Sequence, residues 1–237
     1  PELIEFDVAK TRTIAVPRLA SPQNVNTPAG STDALALQIA EVMAANLEAS
    51  GVFQAIGPSG VKTPTLAQVT APEFDYWRGK NANQLIQGFI RVDNDGKLLI
   101  GCYLYDVGFG SEQSSAGFRV DPADWRRAAH KCSDAIYGKL TGEMPFFDSR
   151  IAYIAETGPK GRRVKRLAVM DSDGANHRFL TNGQTTALTP RWSPDYSKIL
   201  YLSYSDGNPR IYIYDVNTGA QKLVTESRNP TFAPRWS

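Results

Sequence analysis

Pro190-Arg191-Trp192-Ser193 returns as Pro234-Arg235-Trp236-Ser237, a period of 44 residues. Neighbouring segments repeat in step. Ser149-Arg150-Ile151-Ala152-Tyr153-Ile154 is similar to Ser197-Lys198-Ile199-Leu200-Tyr201-Leu202, and Lys165-Arg166-Leu167-Ala168-Val169-Met170-Asp171 to Pro209-Arg210-Ile211-Tyr212-Ile213-Tyr214-Asp215. A polar turn ending in glycine follows each aspartate, at Gly174 and at Gly219. A period in the low forties, built of short β runs, is what a four-stranded propeller blade requires.

The strand chemistry agrees. The runs 199–204 and 211–214 are nearly continuous apolar and aromatic sequence, as expected where blades stack and both faces of a middle strand are buried. One unit reads as an innermost strand at 189–193, a second at 198–204, a third at 210–216 and an outer one at 221–225. Residues 227–233 then return from rim to centre. Trp192 and Trp236 read as packing residues between blades. The unit that starts at Ser149 has no Pro-Arg-Trp-Ser strand ahead of it. Two blades do not close a ring, because each needs neighbours on both faces. The expectation is a piece of a longer protein whose later blades, with a strand from its far end, complete the circle.

Residues 1–145 read as a separate α/β domain, a small mixed sheet with helices, and 146–237 as about two blades of an incomplete all-β propeller. Short strands are expected at 13–17 and 52–56. Between them, Leu35, Ile39, Val42, Met43 and Leu47 form the apolar stripe of a helix over 33–50, ended by Gly51. Residues 66–71 have no clear assignment, and 72–80 fit a short helix. Strands over 84–93 and 97–107 meet at Asn94-Asp95-Gly96. A three-residue loop with Gly96 left-handed pairs Val92 with Leu98, Ile90 with Ile100 and Gly88 with Cys102, which gathers the apolar residues on one face. Asp121-Pro122 reads as an N-cap and first helical position. The helix that follows carries the stripe Trp125, Ala129, Cys132, Ile136 and Leu140 and stops at Gly142.

Cys102 and Cys132 both fall on apolar faces. A sheet-to-helix disulfide and a pair of free buried thiols are both open readings.

Composition narrows the function classes. A net charge of +2 over 237 residues gives no strong field, so nothing points to nucleic acid or an anionic membrane. No apolar run is long enough to span a bilayer, and Pro1-Glu2-Leu3 is not a signal peptide. Gly57-Pro58-Ser59-Gly60 lacks the second glycine of a nucleophile elbow. His130 and His177 are far apart and have no metal-ligand spacing. Asp93-Asn94-Asp95-Gly96 and Asp171-Ser172-Asp173-Gly174 lack the distal ligands of a calcium loop and read as turns. Lys160-Gly161-Arg162-Arg163-Val164-Lys165-Arg166 reads as a solvated hairpin. No enzymatic activity, metal or cofactor is expected.

The order of parts adds a resemblance. An α/β domain ends in Ser133-Asp134-Ala135-Ile136-Tyr137-Gly138-Lys139-Leu140-Thr141-Gly142. A short linker leads to Arg150-Ile151-Ala152-Tyr153, and Pro-x-Trp-Ser repeats follow. This order resembles the TolB family over nearly the whole chain. One departure is Tyr196, which stands where the family's Ser-Pro-Asp-Gly turn has glycine. The resemblance implies a periplasmic scaffold that binds a Pal-type outer-membrane lipoprotein through its propeller and a TolA-type inner-membrane protein through an N-terminal segment. It further implies a role in outer-membrane integrity and cell division. By position, the propeller-face candidates are Thr186, Leu188, Arg228, Asn229 and Ala233, on the connections 185–189 and 227–233. Glu2, Leu3, Ile4, Glu5 and Phe6 match the N-terminal segment, where an extended peptide can add to a sheet edge. The competing reading is the regulatory propeller of a hydrolase whose catalytic domain lies beyond Ser237.

Overall fold

The computed structural model describes residues 12–205, 207–224 and 234–236. The chain divides into two compact units between Asp148 and Ser149.

The first unit is built on five strands: β1 (Arg12–Ala15), β4 (Phe53–Ile56), β5 (Gln84–Val92), β6 (Leu98–Asp106) and β7 (Ser111–Val120). Their order is β4-β1-β5-β6-β7; β1 runs parallel to both its neighbours, and β5, β6 and β7 form an antiparallel meander. A short hairpin, β2 (Asn26–Thr27) with β3 (Gly30–Ser31), leads into helix α1 (Thr32–Ala49). Ser31 caps α1 by accepting the N–H of Ala34.

Alternation along the strands sends successive residues to opposite layers. Ile14, Ile86, Ile100 and Leu104 join α1 and helix α4 (Trp125–Thr141) in one core. Ala15, Leu85 and Tyr105 join Trp77 and Phe74 of the short helix α3 (Phe74–Gly79) in a second core. Helix α2 (Leu66–Thr70) precedes α3, and Thr65 and Gln68 close it with a reciprocal capping box. The Tyr105 hydroxyl donates to the Val69 carbonyl of α2 at 2.8 Å, and desolvation by burial pushes this phenol up to about 12.

The β5–β6 register is the one that the turn chemistry requires. Val92 faces Leu98, Ile90 faces Ile100 and Gly88 faces Cys102, and Gly96 sits at φ +80. Strand β7 has no counterpart in the sequence reading. Its Ser- and Gly-rich sequence hides an alternation in which Ala116, Phe118 and Val120 pack on the first core. The start of α4 also differs from expectation. Pro122–Asp124 forms a separate 3-10 turn, and Asp121 makes no capping bond. Its carboxylate pairs instead with Lys97 at 3.1 Å. Cys102 of β6 and Cys132 of α4 form a disulfide with Cα atoms 6.2 Å apart, which resolves the open reading.

Chain exit from this unit is tightly held. Asp134 of α4 accepts the N–H groups of Phe147 and Asp148 at 2.8 and 3.1 Å. Phe147 is buried against Tyr137, and Arg127 bonds the Asp148 carboxylate. Burial pushes the Asp134 carboxyl above its ordinary value, against the pull of those two donors.

The second unit holds two antiparallel sheets. The first is β10-β9-β8, from β8 (Arg150–Thr157), β9 (Val164–Asp171) and β10 (Arg178–Phe179). The second is β11-β12-β13-β14, from β11 (Ala187–Trp192), β12 (Lys198–Ser203), β13 (Arg210–Asp215) and β14 (Gln221–Leu223). The sequential order of the four strands is that of a propeller blade. The three-stranded sheet lacks a counterpart of β11, so the propeller is incomplete among the described residues. Leu167, Val169, Ile199, Tyr201 and Tyr214 form the core shared by the two sheets. Five of the six residues of β12 are buried, as a strand covered on both faces should be.

Candidate partner-binding site

Thr186 and Leu188 do not share one structural role. Thr186 is exposed in the connection ahead of β11, and its carbonyl accepts the N–H of Tyr204 at 3.2 Å. Leu188 lies inside β11, paired with Leu202 and half-buried. The inner strand therefore begins at Ala187, two residues before the expected 189. It does so by means of a bulge between Leu188 and Arg191. Pro190 has no N–H for the ladder, and Thr189 takes φ +48, so the extra length is absorbed there and pairing resumes at Arg191. Arg228, Asn229 and Ala233 lie outside the described residues, as do Glu2, Leu3, Ile4, Glu5 and Phe6.

Of the two Pro-Arg-Trp-Ser tryptophans, Trp192 lies in the packing between sheets. Trp192 is half-buried, joins the core between the sheets, and carries the Arg150 guanidinium 5.6 Å from its ring. Trp236 donates its indole N–H to the carbonyl of Arg191 at 3.1 Å.

The turn after Trp192 keeps the geometry expected of a glycine-containing motif although Tyr196 occupies the position. Tyr196 has φ +56, its N–H bonds the Ser193 carbonyl at 2.9 Å, and its ring lies 6.0 Å from that of Trp192. Asp195 is the hub of this turn. It accepts from the Ser193 and Ser197 hydroxyls at 2.6 and 2.7 Å and from the Ser197 N–H at 3.2 Å. These donors, the Ser193 hydroxyl first, hold its carboxyl down at about 2.

The remaining sequence motifs resolve into structure. Asp93 and Asp95 both bond Arg119 across the β5–β6 turn. His130 is buried, with Nδ1 3.0 Å from the amide nitrogen of Asn46, which also donates to Ser133 at 3.0 Å. His177 packs edge-on against Phe179. The basic stretch forms the β8–β9 hairpin, where Arg163 and Lys165 pair with Glu156 at 2.9 and 2.8 Å. Among the described residues, no helix is long and apolar enough to cross a membrane.

A polar cleft in the first unit was not anticipated. It has a volume of about 380 Å³ and is lined by Arg78, Asn81, Ala82, Asn83, Gln84, Asp106, Val107 and Gly108. Its signal in the sequence is the amide-rich run Asn81-Ala82-Asn83-Gln84, placed where the chain enters β5.

Comparison with known proteins assigns both halves. The TolB amino-terminal domain matches residues 4–113, and the TolB beta propeller domain matches residues 137–237. The chain is 59% identical over 210 residues to the Tol-Pal system protein TolB 1 of Novosphingobium aromaticivorans, covering 88% of this chain and 47% of that one. It is 58% identical over 215 residues to the Tol-Pal system protein TolB of Sphingopyxis alaskensis, covering 90% and 47%. The chain thus spans about half the length of the curated relatives it matches. The crystal structure of TolB from Acinetobacter baumannii is similar with a TM-score of 0.72 at 26% identity, over 91% of this chain and 50% of that one. With an α/β domain and propeller sheets in the same order as these relatives, and with both parts matched in sequence, the chain belongs to the TolB family.

Proposed function

We propose that this chain is part of a non-catalytic protein-binding scaffold of the Tol-Pal envelope system, working in the periplasm. The propeller region takes a Pal-type outer-membrane lipoprotein, and the segment Glu2, Leu3, Ile4, Glu5 and Phe6 takes a TolA-type inner-membrane partner. The role is maintenance of the outer membrane, including during cell division. One observation carries the reading: both halves match proteins named as Tol-Pal components, and the second half builds the antiparallel blade sheets of a propeller. Propellers present ordered loops at the ends of rigid sheets, a format suited to docking other proteins. Thr186, Leu188, Arg228, Asn229 and Ala233 are the proposed propeller-side contacts.

A pull-down with the full-length protein tests this. Retention of a Pal-type lipoprotein, weakened by substitutions at Thr186 and Arg228, supports the propeller assignment. Loss of the TolA-type partner alone, on deleting residues 2–6, supports the terminal one. Failure of the full-length protein to retain either partner overturns the reading.

A further inference from the structure

The polar cleft at the end of β5 and β6 has a chemistry that partner docking does not use. Five side chains with amide or charged groups converge where α3 leads into β5 and where β6 turns toward β7: Arg78, Asn81, Asn83, Gln84 and Asp106. Its volume of about 380 Å³ falls in the range of small-ligand sites.

Both charged groups in the cleft already have hydrogen-bond partners. Arg78 donates to the Val107 carbonyl at 3.1 Å and pairs with Asp75 at 2.6 Å. Asp106 accepts the N–H of Phe109 at 2.8 Å and faces the amides of Gln84 and Gln113 at 3.4 and 3.3 Å. What remains open is neutral hydrogen-bonding capacity. The Oε1 atom of Gln84 is buried with no partner among the described residues, so it is an acceptor in need of a donor. The side-chain amide of Asn81, exposed on a left-handed residue at φ +58, makes no bond among the described residues and offers both donors and an acceptor. Next in sequence to Gly108 of the lining is Phe109, 90% exposed at the tip of the β6–β7 turn, its backbone held by Asp106. A ring this exposed leaves its face free to stack on a bound molecule.

With one charge of each sign in its lining, both hydrogen-bonded, the cleft carries no net charge to favour an ionic ligand. Free amides beside an exposed aromatic ring fit a molecule with many hydroxyls on one side and a C–H face on the other. We propose that this cleft binds a neutral pyranose glycan, with Gln84 Oε1 and the Asn81 amide bonding ring hydroxyls and Phe109 stacking on the sugar face. The proposal is independent of the partner-binding reading, since it uses residues of the first unit alone.

The experiment is NMR titration of the isotope-labelled full-length protein with the N-acetylglucosamine trimer and, separately, cellotriose, with a neutral hexapeptide of Gly, Ser and Asn as the comparison. Two variants accompany it. Phe109→Ala removes the exposed ring, and Asn81→Gly removes the amide while keeping a residue at ease at positive φ. Both positions are exposed, and unchanged melting temperatures confirm that the fold is intact. The expected result is saturable shifts at 81–84 and 106–109 with at least one sugar, and about tenfold weaker binding in each variant. No shifts at millimolar sugar, shifts mapping elsewhere, binding undiminished in both variants, or shifts with the peptide alone would each overturn the proposal.

Discussion

The indole N–H of Trp236 donates to the main-chain carbonyl of Arg191, 45 positions earlier and adjacent to the tryptophan of the preceding repeat. One copy of the recurring tetrapeptide therefore holds the backbone of the other. Trp236→Phe keeps most of the ring surface and removes the donor. It should lower stability by about 1 kcal/mol, the net worth of such a bond, as read from urea unfolding. An unchanged midpoint would mean that the contact is incidental to packing.

Tyr196 is held at φ +56, where a residue with a β-carbon is disfavoured by roughly 1–2 kcal/mol. Tyr196→Gly relieves that strain but loses the ring contact with Trp192 and gains unfolded-state entropy. The expected outcome is a modest rise in melting temperature, whereas Tyr196→Val, with a β-branched residue in the same conformation, should lower it. A drop for the glycine variant would show that the ring contact outweighs the backbone.

The disulfide between Cys102 and Cys132 closes a loop with a sequence separation of 30. Loop-closure entropy for that length gives about 3.5 kcal/mol, on the chain-entropy account. The Cys102→Ala, Cys132→Ala double variant should lose most of this, and a reducing agent should destabilise the parent protein while leaving the variant unaffected. Denaturant melts with and without reductant check both.

Two glycines of the central sheet should differ in tolerance. A β-carbon on Gly88 meets the Gly101 carbonyl at 2.7 Å, a backbone atom of the facing strand, whereas one on Gly101 meets the side chain of Phe89. Phe89 is half-buried and has room to turn. Gly88→Ala should therefore cost more than Gly101→Ala, by about 1 kcal/mol or more, on the scale of overpacking. Equal melting temperatures would count against this account of the sheet.

Asp195 sets an acid limit for the second unit. Its carboxyl sits at about 2 in the folded state, below the ordinary 3.8, because the Ser193 and Ser197 hydroxyls donate to it. Between those values the unfolded chain binds more protons, so the stabilisation is complete above pH 4 and lost as pH falls through about 2. Asp215, held low by the N–H of Thr218, acts in the same direction. Thermal melts between pH 5 and pH 2 should show a shallower acid loss for Asp195→Asn than for the parent.

Sequence reasoning was strongest where a local requirement and a long-range pattern coincided. Gly96 had to be left-handed, and only one register then gathered Ile90, Ile100 and Cys102 on a face. It was weakest where side chains conceal a role set by tertiary contacts. β7 is half serine, glycine and glutamine, and only its pairing with β6 makes it a strand. Helix α2 escapes assignment because it is too short to show a periodic stripe. Leu188 was misplaced because the start of β11 depends on a bulge around a proline, which no periodicity records. The polar cleft escaped notice because its lining comes from segments distant in sequence, Arg78 to Gln84 and Asp106 to Gly108.

Asp134 grips the N–H groups of Phe147 and Asp148 at the last residues of the first unit. A pull on the polypeptide from beyond Ser149 thus loads a half-buried carboxylate and a long helix, which is itself riveted to the sheet through Cys132. Tension arriving along the backbone is spread into the body of the α/β layer instead of peeling a loose end.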